Sequence, residues 1–250
     1  MMGSGCVPDL AGHHYYETFR ILHAALRPNT YFEIGTLHGD TLSLARCASI
    51  SVDPGVDFSR HELVAGIIDK PQLHLFKMTS DEFFASQDPE RILGAKIDMA
   101  FLDGMHRCEF LLRDFMNTER FCKPNSLVVL HDCIPVEAGM TARSPSAQPP
   151  LMPHRQGWWT GDVWRTALLL KRVRPDLSIS AIDAQSTGLV LVTNLSPASH
   201  VLNEGYARHV KLMLSWDLGE IGLSSIHEEL GLESAANLAT DEQVTGRFWL

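Results

Sequence analysis

Short apolar runs alternate with amphipathic stretches through the first two-thirds of the chain. Over residues 13–26 apolar side chains recur at helical spacing (Tyr16, Phe19, Ile21, Leu22, Ala25, Leu26) until Pro28-Asn29 breaks the pattern, which predicts a helix. Thr30–Ile34 reads as a short buried strand, Asp40–Ala48 as a helix, Ile50–Val52 as a strand and His61–Ile68 as a helix. Strand Leu73–Phe76 follows, then a helix over Thr79–Ala85 with a Ser/Thr/Asp cluster suited to capping it. Strand Ile97–Leu102, helix Arg107–Phe121 and strand Ser126–Leu130 complete the series. Such alternation predicts a doubly wound α/β domain: a parallel sheet with helices on both faces.

Residues 133–160 lose all periodicity and are dense in proline (Pro135, Pro145, Pro149, Pro150, Pro153). A stretch of that length inside a compact domain predicts a lid over a site. Asp162–Val173 returns to helical spacing, and Ser178–Ile182 with Gly188–Val192 reads as a hairpin forming an antiparallel edge. From Pro197 onward the pattern is helical again. The expected organisation is an N-terminal helical segment (1–29), a main domain (30–195, with the lid at 133–160) and a helical C-terminal extension (196–250). That extension would cover the core or form a homodimer contact.

The chain of 250 residues is 45% hydrophobic and 20% charged, enough to bury a core. Its net charge of −9, without any basic block, argues against nucleic acid or an anionic membrane as partner. The five cysteines are odd in number and form no CxxC pair, so reduced thiols and a cytoplasmic location are expected. No apolar run reaches about 18 residues, which predicts no membrane-spanning helix. Met1–Gly5 lacks the basic and apolar regions of a secretory signal.

Four acidic residues stand where apolar runs stop: Glu33, Asp53, Asp103 and Asp132. In an open parallel sheet such stops gather on the carboxyl edge, where ligands bind. Glu33-Ile34-Gly35-Thr36-Leu37-His38-Gly39 has Gly-x-x-x-Gly spacing rather than GxGxxG, and Gly35 permits a tight turn with close ligand approach. Gly39 would open the helix over Asp40–Ala48, whose amino end carries partial positive charge. Asp53, 20 residues beyond Glu33, is placed to accept ribose hydroxyl protons. The bland alternative is a plain strand–helix turn with a surface aspartate.

These residues resemble the class I S-adenosylmethionine-dependent methyltransferases over about residues 30–193. The resemblance implies a Rossmann-like seven-stranded sheet with its last strand antiparallel. It also implies S-adenosylmethionine as cofactor, bound by Glu33, Gly35, Thr36, Gly39, Asp53, Ser80 and Asp103. More narrowly, Phe101-Leu102-Asp103-Gly104-Met105-His106 and Val129-Leu130-His131-Asp132 are similar to the small-molecule O-methyltransferase branch, catechol-type or macrolide- and sugar-modifying. In that branch these strand ends often hold a divalent metal.

Asp103 and Asp132 would lie on adjacent strands, and two close carboxylates repel unless a cation or proton sits between them. With His131 they form a candidate ligand set for Mg²⁺, or for Mn²⁺, Fe²⁺ or Zn²⁺ if the histidine softens the site. Cys133 stands where the catechol-type pattern has Asn, and His131 where the sugar-modifying pattern has an acid. The alternative is that both aspartates only bind loop amides. His106 is a candidate general base, a metal ligand or a helix cap. Trp158 and Trp159 could wall an acceptor pocket, and Arg155 could receive an acidic substrate group or be an ordinary loop arginine. His13, His14 and His154 read as surface residues, and Asp114 as structural.

The function expected is methyl transfer to a hydroxyl of a small molecule, a sugar or natural product. One alternative is a non-catalytic nucleoside-binding protein or partner subunit that keeps the fold. Another is a nicotinamide-dependent oxidoreductase, against which the missing GxGxxG counts. Neither G-x-S-x-G nor a phosphate-binding GxxxxGK[ST] is present, which argues against hydrolase and NTPase chemistry.

Overall fold

The computed structural model describes residues 5–250, so the reading of Met1–Ser4 lies outside the described residues. Its elements are α1 (Tyr15–Leu26), β1 (Thr30–Ile34), β2 (Ala48–Val52), α2 (His61–Ile68), β3 (Leu73–Phe76), α3 (Ser80–Ser86), α4 (Pro89–Leu93), β4 (Ile97–Leu102), α5 (Cys108–Glu119) and β5 (Cys122–His131). There follow α6 (Trp164–Val173), β6 (Ser178–Ile182), β7 (Leu189–Thr193), α7 (Val201–Glu204), α8 (Tyr206–Ser215), α9 (Leu218–Ile221), α10 (Leu223–Leu230) and α11 (Asp241–Thr245). The strands form one seven-stranded sheet in the order β3-β2-β1-β4-β5-β7-β6. The first five run parallel, while β7 is antiparallel to both β5 and β6. This is the Rossmann-like methyltransferase arrangement that the resemblance implied.

Side-chain alternation divides the core between the two faces of the sheet. Phe32, Ile34, Ala100, Leu102, Val128 and Leu130 pack with Leu111, Phe115, Trp164 and Leu168 from α5 and α6. Tyr31, Met99, Phe101, Leu127 and Val129 pack with Phe19 and Leu22 of α1 and with Val244 of α11. The segment after residue 196 contributes to both clusters, through Met213, Ile226 and Leu230 on one face and Leu238, Val244 and Phe248 on the other. Local chemistry sets the helix ends. Thr79 and Glu82 form a reciprocal capping box at α3, worth about 1 kcal/mol. Asp88 caps α4, which Pro89 opens and left-handed Gly94 closes.

One expectation needs correction. No helix forms over Asp40–Ala48; the segment contains only a 3₁₀ turn at Leu42–Leu44, and β2 already begins at Ala48. Side chains also bind carbonyls of this segment: Lys70 those of Leu42 and Ala45, and Arg46 that of Ser43. The stretch 133–160, expected as a lid, is ordered and partly buried. Ile134, Val136, Met140 and Leu151 are buried, and three short 3₁₀ turns carry the chain across the sheet edge as a packed strap.

Register aligns the strand ends. Ile34 pairs with Val52 and Leu102, and Leu102 with Leu130, so Gly35, Asp53, Asp103 and His131-Asp132 emerge together on the carboxyl edge. The strand order reverses between β1 and β4, which is where such sheets open a crevice.

Candidate active site

The site has two halves. The first is built by the loops after β1 and β2. Gly35 has φ +86°, and any Cβ there would collide with the Asp103 carbonyl, so only glycine lets these two loops touch. Asp53 is nearly buried; its Oδ2 accepts from Leu37 N (2.7 Å) and its Oδ1 from Gly55 N (2.6 Å). Each carboxylate oxygen keeps a second lone pair able to accept a further donor. Thr36 is buried and paired with Ser51 Oγ at 2.7 Å. Glu33 is wholly enclosed, bonded by the Tyr31 hydroxyl, with Oε1 lacking a partner. Burial, partly offset by that hydroxyl, holds its carboxyl up to about 7.

Leu37 and Met105, each 53% exposed, flank the Gly35–Asp103 contact and offer apolar walls for a base. Behind Gly104 sits buried Asp114, whose Oδ1 has no partner and whose carboxyl burial pushes up to about 7. Asp81, next to Ser80 at the start of α3, is gripped by Arg113 (2.6 and 2.8 Å). A carboxylate at the end of β2, two exposed apolar side chains and an orphaned buried oxygen fit a nucleoside cofactor. Gly39 turns the chain with φ +86° into the 3₁₀ segment and caps no helix.

The second half is an acid–histidine cluster. His131 Nδ1 faces Asp103 Oδ1 at 3.1 Å; His106 Nε2 lies 3.3 Å from the same oxygen, and its Nδ1 3.2 Å from Asp132 Oδ2. His106 thus bridges both carboxylates. Burial disfavours its charged form, but Asp132 and Asp103 outweigh that and hold its pKa up to about 9. Burial likewise opposes ionisation of Asp103, yet His131 and His106 bring its carboxyl below the usual range. His131 is raised, the two aspartates overcoming its burial. Asp103, His131 and Asp132 offer donor atoms within 4.8 Å of one another, a hard-oxygen set with one imidazole that fits a divalent cation.

Distant segments hold this cluster. Thr187, in the β6–β7 connection, donates to Asp132. Trp159 stacks on His106 (4.8 Å between centroids, 15°), while its carbonyl lies 3.1 Å from His106 Nδ1. Gly161 (φ +58°) packs so closely that a Cβ would strike the His106 carbonyl. Asp162 accepts from Cys108 N at 2.9 Å, capping α5 from the strap. Leu37, His106 and Asp132 all have positive φ (44°, 45° and 58°), so strained backbone gathers at this edge.

Of the residues read as substrate contacts, only Trp159 touches this cluster. Trp158 packs against the core on the α5–α6 side. Arg155 must be reassigned: at 2% exposure its guanidinium binds Asp9, Glu137 and the Val7 and Val136 carbonyls, tying the N-terminal segment to the strap. Its partners are more than a hundred residues away or hidden in an aperiodic stretch, so spacing could not disclose them. Tyr15 and Thr187 were missed outright; Tyr15 fell within a helix pattern and Thr187 within a connection of unknown placement.

Residues 17–133 match a family of methyltransferase domains. No curated protein matches the chain in sequence. Among solved structures, an O-methyltransferase from Streptomyces achromogenes, TomG, involved in tomaymycin synthesis and seen with S-adenosylmethionine, is similar at 17% identity. That likeness covers 76% of this chain and 84% of the other, with a TM-score of 0.51. Cofactor-bound Rv0187 from MTB is similar at 17% identity, covering 75% and 83%, with a TM-score of 0.50. A putative O-methyltransferase from Klebsiella pneumoniae is similar at 14% identity, covering 73% and 80%, also with a TM-score of 0.50.

Proposed function

We propose that this chain, which carries a class I methyltransferase domain, is an S-adenosylmethionine-dependent O-methyltransferase acting on a hydroxyl of a small molecule, a sugar or natural product, with divalent-metal assistance. The observation that carries this reading is the pair Asp103 and Asp132, bridged by His106 beside the nucleoside-type half-site. The cofactor supplies an electrophilic methyl, so the protein's work is alignment and removal of one proton.

Asp53 would hold the ribose, with Glu33, Gly35, Thr36, Gly39 and Ser80 shaping the rest of the cofactor site. Asp103, His131 and Asp132 would hold a divalent cation, whose chemistry when bound is to lower the pKa of an acceptor hydroxyl. His106 would serve as base only in its neutral form, which its contacts with Asp103 and Asp132 disfavour. Trp159 excludes water from the outer side of that imidazole.

Calorimetric titration of EDTA-treated protein with S-adenosylhomocysteine, with and without Mg²⁺ or Mn²⁺, tests this. Micromolar binding supports the cofactor site, and an additional metal-dependent heat lost in Asp132→Asn supports the cation site. Absence of binding under every condition would overturn the reading.

A further inference from the structure

The edge of the sheet opposite the acid–histidine cluster carries the opposite charge. Pro28 stands two residues before β1 and Arg46 two before β2, and Thr30 pairs with Ala48, so these segments meet on the amino edge. A cavity of about 450 Å³ opens there, within the usual size of small-molecule pockets. Its lining brings Arg20, His23 and Arg27 of the end of α1 together with Arg46, and Pro28 and Leu44 give it apolar walls.

The charge of this groove is little compensated. Among the described residues, Glu17 is the one acid ion-paired with any of the three arginines, holding exposed Arg20 at 2.6 Å. Arg27 has no ion-pair partner among them. Arg46 donates to the Ser43 and Gly66 carbonyls (2.8 and 3.2 Å), which orient a guanidinium without neutralising it. In a chain of net charge −9, three cations around one concavity run against the composition. The carboxyl end of α1 opens onto the same place with about half a negative charge, which offsets one guanidinium only in part.

His23 adds a buried polar group to the lining. It is 8% exposed and its ring is held by Phe19 and Tyr31 (centroids at 5.2 and 5.0 Å), yet its Nε2 is enclosed without a hydrogen-bond partner. Burial, then Lys70 and Arg46, hold its pKa down to about 3. The imidazole is therefore neutral and adds no negative charge to the groove. Guanidiniums only donate, and their planar fork matches the oxygens of an oxyanion. Three positive charges against one paired acid leave an excess of about two, which suits a dianion such as phosphate better than a single carboxylate.

We propose that the groove between the end of α1 and Arg46 is a binding site for the phosphate group of a small molecule, held chiefly by Arg27 and Arg46 and separate from the site of methyl transfer. The test is a ¹H–¹⁵N NMR titration of the full chain, at constant ionic strength, with inorganic phosphate, ribose 5-phosphate and acetate. Saturable shifts centred on residues 20–28 and 43–46 are expected with both phosphates, and acetate should bind at least about tenfold more weakly. Tighter binding of the ester than of the free ion would identify a phosphorylated metabolite as the source, and the reverse order inorganic phosphate itself. Arg27→Gln and Arg46→Gln should each weaken phosphate about tenfold, as for one lost charge-assisted hydrogen bond. Arg20→Gln should do less, because Glu17 already shares its charge. Arg172→Gln, whose guanidinium is bound to Glu229, should change nothing. Saturation with S-adenosylhomocysteine, which has no phosphate, should leave phosphate affinity unaltered. An unshifted melting temperature shows that a variant is folded, and if Arg46→Gln loses its carbonyl contacts and unfolds, exposed Arg27 decides the matter. Shifts that grow without saturation, equal binding of acetate, shifts confined to other residues, or full phosphate affinity in Arg27→Gln would each overturn the proposal.

Discussion

The two halves of the site are built by different means. On the cofactor side, Gly35, Leu37, Asp53 and Gly55 make a half-site from two neighbouring loops, joined mainly by backbone amides donating to one carboxylate. In the half proposed to face the acceptor, Asp103, His106, His131 and Asp132 are fixed by Trp159 of the strap, Gly161 just beyond it, Thr187 of the β6–β7 connection and Tyr15 of α1. The first half is local, and its parts lie within about 20 residues of one another. The second draws on segments from residue 15 to residue 187. A binding half made of backbone tolerates side-chain drift around it, whereas a half that handles protons must hold two acids and two imidazoles against their own desolvation.

Substitutions can separate the halves. The largest effect is expected from Asp132→Asn, which removes one carboxylate bridged by His106. Turnover should fall about 10²–10³-fold with cofactor affinity nearly intact. A parallel loss of cofactor affinity would show that the halves are not independent. Gly161→Ala comes next, because the added methyl must displace the His106 loop at a positive-φ position. A shift of that kind should cost about 10²-fold in kcat, and normal kcat would remove the strap from the positioning of His106. Asp53→Ala addresses the other half: cofactor affinity should weaken by about 1–3 kcal/mol, with little change in metal binding. An unaltered dissociation constant would take Asp53 out of the site.

A separate effect, on the whole fold rather than on either half, is on stability against pH. Glu33 and Asp114 both ionise near pH 7 in the folded chain, against ordinary values of 4.5 and 3.8. Between those limits the folded state binds more protons than the unfolded one. The stabilisation is therefore complete below about pH 4 and is lost as pH rises through 7. The melting temperature should fall by about 10 °C or more between pH 5 and pH 8 from these two groups, and Asp114→Asn should flatten part of that slope. A wild-type profile with no such fall would contradict the enclosure of both carboxyls.

Legibility in the sequence followed the same division. Strands Thr30–Ile34, Leu73–Phe76 and Ile97–Leu102 and helix His61–Ile68 fall where periodicity predicts them; the first and third strands are buried throughout, a local apolar run that the sheet interior requires. In place of the helix expected over Asp40–Ala48 a 3₁₀ turn forms, and Lys70 and Arg46 bind carbonyls of the segment. Arg155 looked available to a substrate because Asp9 is remote in sequence and Glu137 lies in a stretch without periodicity.

By itself the sequence determined the alternating architecture, the sheet edge on which four acids gather, and the cluster of Asp103, His131 and Asp132. Hydrophobic period and strand ends are local properties, and parallel pairing carries them to one edge. Only the tertiary structure decided which side chains surround that edge: Trp159 on His106, Tyr15 on His131, Thr187 on Asp132, and Arg155 turned away into a buried ion pair. Those contacts depend on how the strap, the reversed strand β7 and helix α1 pack, and free energies of packing between distant segments leave no periodic trace in the chain.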